Sequence, residues 1–315
     1  MTVKKRNPRD VFGETLLELG RENPGVMAVS CDSGAGSGMN PFKKELPQQY
    51  LEVGISEQNA IGVSAGLAEG GFIPVVSAIA PFISMRAFEQ VRNDLGYANM
   101  NVKVIGSSSG LSHSALGSTH QAIEDLTLMR AIPNMVVLNP GDVYEVEMCL
   151  REAVKHQGPV YIRMPRHEMA EPVEAAKRNL EIGKGEYLMN TGDDIVIAVT
   201  GTLTIDGLMA AKILDEMGFG VKVINFTTVK PLDTGILNEA YQNAKYLFTL
   251  EEHSVIGGFG SAVVEALATI KGKAPIHIVG IADGSINTGP YRELLEAYGL
   301  TWEKIVDQIL YVVKN

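Results

Sequence analysis

Short apolar, β-branched runs alternate with segments of helical period along the first half of the chain. Val26-Met-Ala-Val-Ser30, Ile73-Pro-Val-Val-Ser77, Val102-Lys-Val-Ile105, Met135-Val-Val-Leu138 and Val160-Tyr-Ile162 predict buried strands. Between them the spacing predicts helices over Pro8–Arg21, Glu57–Glu69, Arg86–Asn99 and Asp142–Lys155. From about Glu168 to Gly192 the chain turns polar and aperiodic ("EMAEPVEAAKRNLEIGKGEYLMNTG"). The alternation then restarts, with strands over Asp194–Val199, Val221–Asn225, Tyr246–Leu250 and Ile276–Val279, and helices over Thr204–Met217 and Ser261–Ile270. Such alternation is the signature of α/β architecture. The expectation is two doubly wound domains, a mostly parallel one over 1–170 and a smaller mixed-sheet one over 193–315, joined by a linker over 171–192.

Composition narrows the classes of partner. A chain of 315 residues, 45% hydrophobic and 20% charged, has ample core, and its net charge of −10 argues against nucleic acid and anionic membrane surfaces. The most apolar region, Ala60 to Ile83, is interrupted by Glu69, Gly70, Gly71, Pro74 and Pro81, so no membrane span is expected. The basic start Met1–Arg6 leads into a polar helical segment and not an apolar run, which makes the cytoplasm the expected compartment. The two cysteines, Cys31 and Cys149, sit in apolar surroundings and read as buried reduced thiols.

Four places carry candidate chemistry. Glu57 opens a helix otherwise rich in Gly, Ala and Ser. The helix dipole favours an acid there without any function. An acid kept from water could equally share a proton with a ligand nitrogen, and Gly54, Ser56, Ala60 and Gly62 would let a flat ring approach. His113 and His120 fall in the Gly/Ser-rich stretch Gly110–Gln121, at a strand's carboxyl end where α/β proteins bind ligands. Arg163 and Arg166, in "GPVYIRMPRHE", could pair with surface acids or fork onto a phosphate. Gly258-x-Gly260 in "VIGGFGSAVVE" lacks the third glycine of a dinucleotide fingerprint and reads as tight strand–helix packing. Metal-ligand clusters, a G-x-S-x-G elbow and a P-loop lysine motif are absent from the sequence.

Taken in order, these segments resemble the thiamine-diphosphate-dependent transketolase family from about residue 8 to 310. "EVGISEQNAIGVSAGLA" is similar to the family's "(V/I)-G-I-x-E-Q-(N/H)" segment, "PFISMRAFEQVRNDL" to the helix that follows, and "GSTHQAIEDLTLMRAIPNM" to the "D-G-x-T-H-Q" loop and its helix. "GPVYIRMPR" resembles the strand ending in a substrate arginine, and "LEEHSVIGGFGSAV" the turn of the C-terminal domain. The resemblance implies that Glu57 is catalytic, hydrogen-bonding the aminopyrimidine of thiamine diphosphate and promoting its imino tautomer, while the cofactor carries the bond-breaking chemistry. It implies Phe82, Ile79 and Arg86 as further cofactor contacts, Phe82 stacking on the pyrimidine. His120 would face the reacting substrate, with Arg166, Arg163, His113 and Leu116 on the substrate side.

The departures from the family pattern are informative. No Gly-Asp-Gly followed by Asn, the family's Mg²⁺ and diphosphate site, occurs in this sequence. The chain therefore resembles the second half of a split transketolase. The implied partner is an N-terminal subunit that supplies the diphosphate and Mg²⁺ ligands, and the implied assembly is two such pairs, a heterotetramer. Leu116 stands where the family's loop has an Asp that recognises a sugar hydroxyl. A leucine cannot accept that hydrogen bond, and an unpaired buried hydroxyl costs roughly 1–3 kcal/mol. A sugar phosphate that differs at this carbon is the expected substrate. Ile79 makes one wall of the pyrimidine pocket aliphatic. The alternatives within the fold are the β subunit of a 2-oxo-acid dehydrogenase, a 1-deoxyxylulose-phosphate synthase (which carries both halves on one chain) and a non-catalytic binding module.

Overall fold

The computed structural model describes residues 4–171, 180–272 and 274–315. The first part contains β1 (Lys5–Arg6), β2 (Val26–Ser30), β3 (Tyr50–Glu52), β4 (Ile73–Ile79), β5 (Lys103–Ser107), β6 (Val136–Leu138), β7 (Val160–Met164) and β8 (Met169–Ala170). The second contains β9 (Glu186–Asn190), β10 (Ile195–Val199), β11 (Val221–Asn225), β12 (Thr228–Lys230), β13 (Tyr246–Ser254) and β14 (Ile276–Ile281). Strands β2 to β7 form a parallel sheet in the order β6-β7-β5-β4-β2-β3, with helices packed on both faces. The second sheet, β14-β13-β10-β11-β9, is parallel except for β9, which runs antiparallel to β11. Both are the α/β architecture expected from the alternating runs, mostly parallel, each with one antiparallel strand at an edge.

Local chemistry accounts for the element boundaries. The helix Pro8–Glu22 begins with proline at its first turn, and the Asn7 side chain accepts the Arg9 backbone N–H. Its apolar stripe, including Val11, Phe12, Leu16 and Leu19, is buried against one face of the first sheet. The helix Glu57–Glu69 has the expected bounds. The segment expected as one helix over Arg86–Asn99 is wound differently: wide π turns at Phe82–Arg86 and Val91–Tyr97 flank a short α-helical stretch, Phe88–Gln90. Such widened turns rotate side chains out of the regular 3.6-residue order and frequently occur at functional sites.

Several contacts tie the halves together, two of them at one edge of the first sheet. Strand β12, from the second half, leaves its own sheet and pairs antiparallel with β6, closing one edge of the first. Asn225 at the end of β11 donates to the Glu145 carboxylate at 2.6 Å across the same boundary. Of the segment expected as a linker, residues 172–179 lie outside the described residues, and the later part contains β9. Among the described residues no helix is long and apolar enough to cross a membrane.

Candidate active site

Three neighbouring strands of the first sheet end side by side: Ile79 of β4 pairs in register with Ser107 of β5, and Ser107 with Met164 of β7. Each strand end hands the chain to a segment carrying candidate residues. After β4 come Phe82 and Arg86, after β5 the Gly110–Gln121 loop, and after β7 Arg166. Glu57 arrives from the next part of the sheet, as the first residue of the helix that follows β3. Parallel packing thus converges these residues on one edge.

Their side chains form a continuous row. Glu57 is buried, 4% exposed, and its Oε2 accepts from Arg86 Nη1 at 3.0 Å. The Arg86 guanidinium lies over the Phe82 ring, 4.3 Å from its centroid. Phe82 meets His120 edge to face at 5.2 Å, and His120 meets His113 at 5.2 Å. His113 Nε2 is 3.2 Å from Arg166 Nη1, and His120 Nδ1 is 2.8 Å from the Thr119 hydroxyl. Since Arg166 can only donate, His113 Nε2 accepts in this contact, which places the proton of the neutral ring on Nδ1. Burial, with the nearby Arg166 and His120, pushes the His113 imidazole down to about 4. His113 is therefore a neutral acceptor at physiological pH. Ile79, at the end of β4, is partly buried beside this row, and Leu116 projects from the loop, 52% exposed.

Arg163 does not join the row. It is 1% exposed, and its Nε donates to both Asp125 carboxylate oxygens at 3.0 Å. Its Nη2 donates to the carbonyls of Ala122 and Glu252, each at 2.9 Å. A guanidinium committed to these partners in the interior has no face for a substrate phosphate. Position along the chain explains the split: Arg163 lies within β7, which is buried along its whole length, whereas Arg166 lies past the strand's end at the surface.

Around Arg163 lies a polar cluster that reading residue types did not single out. Tyr161 donates its hydroxyl to Asp125 at 2.7 Å. Three consecutive ionisable residues, Glu251, Glu252 and His253, are buried near the end of β13. Burial pushes Glu251 up to about 7 against the opposing pull of the Gly260 and Phe259 N–H groups, and pushes His253 down to about 4. The available signal was the run "TLEEHS": three ionisable residues in succession in an apolar strand cannot all face water.

The arrangement fits one end of a thiamine cofactor. A buried carboxylate and an aromatic face both contact the same flat, N–H-bearing group, the Arg86 guanidinium, so the pair can receive an aminopyrimidine of similar shape and polarity. A Cβ at Gly54, whose φ is +74°, would meet nothing within 4 Å, leaving open space beside the start of the Glu57 helix. For the diphosphate end, no group of three or more metal-ligating side chains occurs among the described residues.

Comparison with known proteins follows the same division. The chain matches the transketolase pyrimidine-binding domain over residues 4–171 and the transketolase C-terminal domain over residues 183–305. It is 37% identical over 308 residues to a putative transketolase C-terminal section of Methanocaldococcus jannaschii, covering 98% of this chain and 96% of that one. It is 35% identical to one of the subunits of an apulose-4-phosphate transketolase from Phocaeicola vulgatus, covering 98% of this chain and 97% of the relative. Among solved structures, a split-gene transketolase described as an inactive β4 tetramer superposes with a TM-score of 0.89 at 37% identity, covering 98% of each chain.

Proposed function

The chain belongs to the transketolase family, and from that premise we propose that it is the C-terminal subunit of a two-chain, thiamine-diphosphate-dependent transketolase, transferring a two-carbon ketol unit between sugar phosphates. The observation that carries this reading is the unbroken row from Glu57 to Arg166, which sets a buried acid, an aromatic platform, two imidazoles and an exposed cation side by side at one edge of the sheet.

The bound cofactor would supply the nucleophilic carbon and the electron sink. The chain's own residues bind and position around it. Glu57 shares a proton with the ring nitrogen of the aminopyrimidine, which requires Arg86 to leave Oε2. Phe82 packs against the ring and Ile79 closes an aliphatic wall. His120, with Thr119 at its Nδ1, presents Nε2 to the substrate oxygens, while neutral His113 accepts from Arg166 and orients it. Arg166 takes the phosphate as a charge-assisted donor. Arg163 serves the interior. Leu116 offers hydrocarbon where a hydroxyl-recognising acid would stand, and a relative named for apulose 4-phosphate supports a substrate outside the common aldose phosphates.

Mg²⁺ and the diphosphate would be held by a separate N-terminal subunit, and the active assembly would pair two copies of each chain. A relative whose β chains alone form a tetramer described as inactive supports this dependence. The decisive experiment is to co-purify the chain with its natural partner, add thiamine diphosphate and Mg²⁺, and assay ketol transfer. The pair should bind cofactor and turn over where neither chain does alone. Glu57→Gln in the pair should lower kcat by about 10²–10⁴-fold. Unchanged turnover in that variant would sink the catalytic reading.

A further inference from the structure

The loop that carries both site histidines is anchored from the other half of the molecule. Gly110 and Ala122 exchange two backbone hydrogen bonds, each 2.9 Å, and so close the loop at its neck. The next amide, Leu111 N–H, donates to Glu252 Oε1 at 2.6 Å. The other oxygen, Oε2, accepts from the Tyr291 hydroxyl at 2.7 Å and from the Thr202 hydroxyl. Glu252 is 2% exposed. Its three donors come from three separate segments: the histidine loop, the turn after β10 and the helix Tyr291–Ala297.

Two observations show that this contact is built. Gly110 has φ +61°, and a Cβ there would stand 2.3 Å from Glu252 Oε1, so the glycine is what lets the carboxylate reach the neck. The Tyr291 ring, held by Glu252, stacks on His167 at 4.0 Å, and His167 directly follows Arg166. One carboxylate thus touches the base of the loop bearing His113 and His120 and, through Tyr291, the residue beside Arg166.

We propose that Glu252 is a positioning residue: by its reach, it sets the spacing between the histidine loop and the Arg166 strand end, so that the second domain holds the substrate side of the site. The claim about position stands on the geometry alone; its kinetic consequence rests on the transketolase reading above.

Two substitutions separate reach from charge. Glu252→Asp keeps the charge and withdraws the carboxylate by one methylene. Glu252→Gln keeps the length and an acceptor for Leu111 N–H, while Tyr291 and Thr202 can turn their hydroxyls to accept. The readout independent of activity is the His113 titration in the full chain, followed by imidazole NMR. In the parent chain burial and Arg166 hold His113 at about 4. Glu252→Asp should move that midpoint upward by about 1 unit or more as the loop loosens into solvent, and Glu252→Gln should leave it in place. In the assembled enzyme Glu252→Asp should raise KM for the sugar phosphate by about 10-fold with kcat changed less than about 3-fold. An unchanged midpoint in folded Glu252→Asp, or a Glu252→Gln that moves it as far, overturns the proposal. Should Glu252→Asp fail to fold, Tyr291→Phe replaces it: loss of the donor that holds Glu252 Oε2 should move the His113 midpoint upward in the same way, and an unchanged midpoint in folded Tyr291→Phe overturns the proposal. Absence of ketol transfer in the parent assembly would remove the functional reading while the NMR result still stands.

Discussion

Arg163 and Arg166 are three residues apart in one segment, and they live in two different solvents. Around Arg163 every nearby element contributes an oxygen: Asp125, the carbonyls of Ala122 and Glu252, and behind Asp125 the hydroxyl of Tyr161. Around Arg166, among the described residues, the guanidinium meets His113, and the residue is exposed. The first cluster is closed, with its charges neutralised by each other. The second is open, with donor and acceptor capacity left for something else. The same residue type is architecture in one place and recognition in the other, and the difference is whether its partners are already present.

That contrast can be broken from either side. The largest expected effect is Arg163→Met, which leaves Asp125 buried without its counter-ion and should cost about 3–5 kcal/mol of folding stability. Urea unfolding of the chain measures it, and a loss below about 1 kcal/mol would show that the cluster is less closed than its hydrogen bonds indicate. Arg166→Met should leave stability within about 0.5 kcal/mol, as for an exposed site. It should cost about 1.5–3 kcal/mol in kcat/KM for a phosphorylated substrate, the worth of a charged hydrogen bond. An equal loss with a non-phosphorylated analogue would argue against the phosphate role.

The smallest effect concerns pH. Glu251, at about 7 when folded and 4.5 by its ordinary value, is protonated in the native state where the unfolded chain has released the proton. Its contribution to stability is complete below pH 4.5 and falls as pH rises through 7. His253, at about 4 when folded and 6.5 ordinarily, behaves oppositely: the unfolded chain binds the proton first, so stability rises from pH 4 to 6.5. The two slopes oppose each other in the same interior. Glu251→Gln should therefore make stability climb more steeply between pH 4.5 and 6.5 than in the parent, and parallel curves would show that Glu251 ionises normally.

Much of this architecture is legible in the residues. The bounds of Val26–Ser30, Glu57–Glu69 and Val221–Asn225 coincide with the elements read from the apolar pattern, because local propensity and burial agree there. What the pattern cannot carry is pairing over distance. Nothing in Thr228–Lys230 says that it leaves its neighbours for β6, and Glu186–Asn190 has too weak an alternation to be recognised before its partner Val221–Asn225 is in place. The site divides similarly. Residue types point to the edge where these side chains meet, since a parallel sheet gathers its loops at one edge. They do not distinguish Arg163 from Arg166, or reveal Glu252, because burial and the donors that meet a carboxylate are properties of the folded chain.

Strand β12 has one more consequence. By sequence family the molecule divides between residues 171 and 183, yet one strand of the second half is the last rung of the first sheet. Cutting the chain at that division would leave two pieces still laced together, and pulling them apart would bare the backbone edge of β6, an invitation to wrong partners. The boundary between the two sequence families and the boundary along which this molecule would come apart are different lines.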